Sequence, residues 1–122
     1  MRYMLLIYRD DKWWEDLSAQ QRGKIFQDAV DYSERHRASG FYLGGDPLEP
    51  ISTATTVRMK DGKALLTDGP FAETKEQLAG YTMLEAKDLD EALAFATRHP
   101  LVRAGLSIEV RAIREGPPPE DS

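Results

Sequence analysis

The chain opens on an unbroken apolar run, Tyr3-Met4-Leu5-Leu6-Ile7-Tyr8. Its composition reads as a strand. Successive side chains of a strand point to opposite faces, so Tyr3, Leu5 and Ile7 on one side and Met4, Leu6 and Tyr8 on the other both need cover. A polar connection follows over residues 10–17, carrying the adjacent Trp13 and Trp14. The apolar period then changes from two to 3.6. Ser18 with Gln21 fits a capping box. Ile25, Phe26, Ala29, Val30 and Ser33 recur at helical spacing, which predicts a helix running to about Ser39 and stopped by Gly40.

Phe41 to Leu43 reads as a short strand that Gly44-Gly45-Asp46-Pro47 breaks. Thr53 to Lys60 is a β-branched strand, Asp61-Gly62 a two-residue hairpin turn, and Lys63 to Thr67 the return. Residues 68–78 read as a structured loop and Gly80 to Ala86 as a strand. Asp88 with Glu91 forms a second capping signal, ahead of a helix whose inner face is Leu89, Ala92, Leu93 and Ala96. His99-Pro100 ends that helix, because the residue before a proline disfavours helical geometry. Leu106 to Ile113 is the last strand, with Ile108, Val110 and Ala112 alternating against Ser107, Glu109 and Arg111.

The order β-α-β-β-β-β-α-β predicts an α+β fold: a ferredoxin-like βαββαβ core with an inserted β-hairpin. Both helices then cover one face of the sheet. The doubly apolar first strand requires cover on the other, and the simplest cover is an identical sheet. The expectation is a homodimer packed sheet to sheet. Residues 1–115 form one domain, and 116–122 (GPPPEDS) a flexible tail.

Composition narrows the chemistry. A length of 122 residues fits one domain. The absence of cysteine removes disulfides, thiolate metal sites and cysteine nucleophiles. The net charge is −5, and nine basic residues lie in positions 1–61 against seven in 62–122, so no basic stripe points to nucleic acid. No apolar run is long enough for a signal-peptide core or a membrane span, so a cytoplasmic protein is expected. His36 and His99 are the two histidines. They form no metal motif, and no phosphate-binding glycine loop or nucleophile elbow occurs, so no metal or cofactor is expected.

The informative segment is residues 68–81, DGPFAETKEQLAGY. Asp68-Gly69-Pro70 makes a rigid turn. Phe71 is expected to drop inward, with Glu73, Lys75 and Glu76 beside it. One reading is a pocket wall in which Asp68 with Glu73 or Lys75 faces a ligand. The other is a rigid turn with solvated charges. His99 also has two readings. It either caps a helix C-terminus as a cation, or works as a general acid/base at a dimer cleft, oriented by Asp68 or Asp46. Glu109 and Arg111 either pair across the dimer interface or line a polar cavity. Tyr8, Tyr42 and Tyr81 can supply hydroxyls to it.

The chain resembles the YCII-related family, in its DGPF subgroup. The resemblance rests on Asp68-Gly69-Pro70-Phe71 with Glu73-Thr74-Lys75-Glu76 and Gly80-Tyr81, on Ala96-Thr97-Arg98-His99-Pro100 with Ile108-Glu109-Val110-Arg111, and on the opening Met1 to Tyr8. It implies a dimeric α+β barrel. Some YCII-related proteins are thought to use a His–Asp pair for proton transfer, including dehydrochlorination of hydroxylated aromatics, with the histidine in the first helix. Here the comparable stretch, Lys24 to Tyr32, has no histidine, and Ala29 or a neighbour takes its place. The subgroup's link to extracytoplasmic-function sigma factors implies an accessory or signalling role.

Three expectations follow. The leading one is a small organic ligand held in a cleft walled by the DGPF loop, with Phe71, Glu73, Lys75, Tyr8, Tyr81 and Asp46 as binding residues. The second is an enzyme of proton-transfer or elimination chemistry using His99 and Asp68. The third is an interaction module with a sigma-factor pathway partner, with Trp13, Trp14 and the tail as its surfaces.

Overall fold

A computed structural model describes residues 1–119. The last three residues of the predicted tail lie outside the described residues. Four antiparallel strands, β1 (Arg2–Arg9), β2 (Tyr42–Pro47), β5 (Gln77–Glu85) and β6 (Ser107–Ala112), form one sheet in the order β2-β5-β1-β6. Strands β3 (Thr55–Lys60) and β4 (Lys63–Asp68) make a separate two-stranded hairpin. The ferredoxin-like core with an inserted hairpin is therefore the architecture observed.

Parity decides what each face of β1 does. Tyr3, Leu5 and Ile7 are buried, while Met4, Leu6 and Tyr8 are half-buried. The buried set packs with Tyr42, Leu84 and Ala86 from the sheet and with Ala92, Phe95 and Ala96 from helix α3 (Leu89–Thr97). Ile108 and Val110 of β6 lean on the same core. Met4 opposes Met83 and Arg111, and Leu6 opposes Tyr81 and Glu109, so these side chains define an open second face. Tyr8 Oη donates to Glu109 Oε1 across it at 3.2 Å.

Helix α2 (Ala19–Glu34) begins with the capping box, Gln21 N–H donating to Ser18 Oγ and Ser18 N–H to Gln21 Oε1. It stops at Glu34, short of the predicted Ser39. Residues 35–40 continue as turns, and the backbone turns left-handed at Gly40 (φ 84°). The hairpin turn is as expected, with positive φ at both Asp61 and Gly62.

Besides the early end of α2, other elements differ from the sequence reading, and β5 begins at Gln77, within the predicted 68–78 loop. Residues 10–17 contain a short helix, α1 (Asp11–Asp16), whose N-cap Asp10 accepts from Lys12 N–H. The Gly44-Gly45-Asp46-Pro47 segment does not break β2 but belongs to it, absorbed by a bulge between Tyr42 and Gly44. Gly45 is required there, since a Cβ would sit 2.3 Å from Tyr81 O and 2.8 Å from Thr82 Cα. Finally, Pro100 starts a helix as well as ending one. Proline suits a first helical position, and α4 (Pro100–Ala104) follows with His99 as its N-cap.

Candidate functional site

Helix α2 does not close fully onto the sheet. Beneath it lies a cavity of about 310 Å3. That is the lower end of the size range that accommodates small organic ligands. Ile25, Phe26, Ala29 and Val30 of α2 form its roof, and Ile7 and Ala79 its floor. Ala29 is small, so the roof at that point leaves space that a larger side chain would fill, while Gly45 in β2 lines the chamber where β5 approaches closely. Ala29 or a neighbour is also where the family resemblance placed the position of the missing histidine.

The buried side chains of Ser33 and Thr82 line the chamber, and arginines meet it at two further places. Arg9 extends the helix-side parity of Tyr3, Leu5 and Ile7, so it turns under α2 and is only 12% exposed. Its Nε donates to Asp11 Oδ1 at 3.0 Å, and its guanidinium carbon lies 4.6 Å from the Trp14 ring centroid. A guanidinium carries five N–H donors, so α1 holds Arg9 in place while leaving terminal donors for an occupant. The second place is Arg37, which pairs bidentately with Glu34 at 2.7 and 2.9 Å and lies over the Tyr42 ring. That hydrogen bond holds the Glu34 carboxyl below its ordinary range. Burial pushes the Tyr42 hydroxyl up.

The predicted site residues do not gather in one place. Asp46 and Tyr81 stand at the rim of the chamber, and strand parity puts their side chains on the open face. There Tyr81 Oη donates to Asp46 Oδ2 at 3.1 Å, a bond that raises the Tyr81 hydroxyl. Tyr8 and Phe71 line a second cleft of about 530 Å3, between the DGPF loop and residues 48–54. Phe71 does not drop inward. It is 77% exposed, and it is held by Arg58, whose guanidinium carbon is 5.0 Å from the ring centroid and whose Nη2 donates to Phe71 O. Glu73 and Lys75 are exposed and line neither cavity.

Asp68 is exposed at the end of β4, opposite Thr55. His99 is 1% exposed, in the helix layer. The structure therefore separates the two by layer and brings no contact between them. Nor is His99 a cation at a helix C-terminus. Its Nδ1 accepts from Leu101 N–H at 3.2 Å, so it caps the start of α4 as a neutral ring. Tyr32 and Phe95 pack edge-on against it, and burial lowers its pKa to about 4. Glu109 and Arg111 face each other on the open side at 4.0 Å.

Sequence reasoning missed Arg9. A charge at a strand end reads as solvated, and the available signal was its parity with the three buried residues before it. Among the described residues no cluster of three or more acidic or histidine ligands could hold a metal. No helix among them is long and apolar enough to cross a membrane.

The fold and the chamber together define a class: small antiparallel α+β proteins with a ligand-sized space beneath the first long helix. The YCII-related domain model matches residues 1–116, and the chain belongs to that family. An uncharacterised protein of Rhizobium meliloti (strain 1021) is 34% identical over 96 residues, covering 79% of this chain and 77% of its own length. Among solved structures, the chain is similar to 5-chloro-2-hydroxyhydroquinone dehydrochlorinase from Burkholderia phenoliruptrix AC1100, in complex with 2,5-dihydroxybenzoquinone. That similarity has a TM-score of 0.50 at 22% identity and covers 95% of this chain and 96% of the other.

Proposed function

We propose that the protein binds a small planar organic molecule in the chamber beneath α2, with Arg9 holding an anionic or strongly polarised oxygen of that ligand. The observation that carries this reading is Arg9 itself: a guanidinium drawn out of solvent at the end of a chamber with apolar walls, its one hydrogen bond among the described residues running from Nε to Asp11. Burying a charge without use for its donors is costly, and arginine is the side chain suited to carboxylates and similar oxygens. The apolar walls accept a ring. The cleft walled by the DGPF loop is the second place for a ligand. Its charged lining residues are Glu49 and Glu76, so it favours cationic or apolar occupants.

The binding role is assigned ahead of proton-transfer catalysis. His99 lies outside the chamber lining, and its burial opposes the charged form that an acid/base cycle needs. We also assign the open face of Met4, Leu6 and Met83 to a homodimer packed sheet to sheet, since half-exposed apolar side chains on a sheet face call for cover.

Benzoate, hydroxybenzoates and 2,5-dihydroxybenzoquinone are the probes, with binding followed by calorimetry. The expected result is that at least one binds and that Arg9→Gln weakens it ten-fold or more, while Asp68→Ala leaves it unchanged. If Arg9→Gln binds as well as the parent protein and Phe71→Ala does not, the ligand sits in the DGPF cleft and the chamber assignment is wrong.

A further inference from the structure

The hairpin β3–β4 is built like an arm with nothing to rest on. Its register places Val57 opposite Leu66 and Met59 opposite Ala64, so these four share one face. Val57 is 63%, Leu66 65% and Met59 70% exposed. A two-stranded hairpin is marginally stable alone in water, and a continuous apolar face on it calls for a partner surface. The other face carries Arg58, which is committed to Phe71, and ends in Lys60 directly opposite Lys63. Like charges placed opposite each other on a sheet destabilise it, and among the described residues neither lysine makes an ion pair.

At the base of the same hairpin lies the cleft of about 530 Å3. Leu48, Ile51, Phe71 and Leu78 make it apolar, and its charged members are Glu49 and Glu76. The arm is thus apolar on one face; its end carries Lys60 and Lys63 on the opposite face, flanking Asp61 in the turn, for a net positive charge, and their long side chains can reach around the tip. The cleft is apolar and acidic. The arm cannot fold back into its own cleft, because both strands leave from the cleft's edge. A second copy related by a two-fold axis can offer its cleft to the tip, since such contacts are reciprocal. Six residues of strand reach about 20 Å, enough to cross to the neighbour. Tyr8 belongs both to the cleft and to the open sheet face, so the two surfaces are continuous.

We propose that β3–β4 is an exchanged arm. In the homodimer each hairpin lays its Val57, Met59, Ala64 and Leu66 face on the second copy and brings Lys60 and Lys63 to Glu49 and Glu76 of that copy. This rests on the homodimer reading but uses a surface that sheet-to-sheet packing does not require.

The test pairs two charge reversals, Lys60→Glu with Lys63→Glu and Glu49→Lys with Glu76→Lys, with circular dichroism as the check on folding. Each reversed protein alone is expected to dissociate at a ten-fold or more higher concentration than the parent. An equimolar mixture of the two is expected to recover the dimer. Zero-length carbodiimide cross-linking of mixed 14N and 15N protein should join Lys60 or Lys63 to Glu49 or Glu76 between copies. Parent-strength dimers from both reversed proteins, or cross-links only within one copy, would overturn the arm. If those results accompany loss of the dimer in Leu6→Asp, the arm fails while the sheet-to-sheet dimer stands. A parent protein that is monomeric at every concentration removes both.

Discussion

His99 shows how one residue type takes opposite roles according to depth. Exposed, an imidazole would titrate near 6.5. Buried against Tyr32 and Phe95 it stays neutral to about 4, and its unprotonated Nδ1 is what caps α4. Between those pH values the unfolded chain binds the extra proton and the folded chain does not. Stability from this residue is therefore complete above pH 6.5 and falls as the pH drops toward 4, by roughly 3 kcal/mol across the window. His99→Asn keeps a capping oxygen and removes the titration. Urea unfolding at a series of pH values should show a shallower acid loss in this variant than in the parent. Parallel slopes would mean that His99 is not the group responsible. Nothing in the sequence announced this. The His-Pro pair signals a helix end, and the second helix that makes the end an N-cap is only five residues long.

At the scale of elements, most of the fold was legible because its signals are local. The capping box at Ser18, the Asp61-Gly62 turn and the alternation in β6 each specify geometry within a few residues. The misses are elements held by tertiary contact. Helix α1 has too few residues to show an apolar period, and its place is set by Trp14 and by the Arg9–Asp11 pair. Strand β2 passes through two glycines that look like a break, yet the β5 backbone lies so close to Gly45 that only glycine fits. Gly45→Ala is expected to cost about 3 kcal/mol or more, since neither backbone can move aside without breaking the β2–β5 ladder. Thermal unfolding monitored by circular dichroism measures it. A midpoint within 2 °C of the parent would show that the edge strand yields freely. The candidate site was less legible than the fold for a related reason: Arg9, Ala29 and Gly45 come from three separate elements and carry no common motif.

For the whole molecule, the two faces of one strand separate two tasks. The Tyr3, Leu5 and Ile7 side builds the core and, through Ile7, floors the chamber that α2 roofs. Among the described residues, no helix covers the Met4, Leu6 and Tyr8 side. If that face is an interface, Leu6→Asp buries a carboxylate at its centre without a partner, at a cost of several kcal/mol. The expected outcome is a monomer by light scattering at concentrations where the parent is dimeric, with the far-ultraviolet spectrum unchanged. Equal masses for the two proteins would place the interface elsewhere. The DGPF loop, the longest motif read from the sequence, ends up serving this larger scale. Arg58 and Thr56 fasten it to the hairpin rather than to the chamber.

The tandem tryptophans give the protein an optical property of its own. Trp13 and Trp14 are its full complement of indoles, and their ring centroids are 6.3 Å apart on α1. Trp14 lines the chamber with Arg9 stacked on it, while Trp13 lies against Gly105. An oxygen that recruits the guanidinium changes the field across an emitting ring in direct contact with it. If the chamber takes the proposed ligand, Trp14 emission would report its occupancy in unlabelled protein, and Trp13→Phe would reduce the signal to the single indole at the chamber wall.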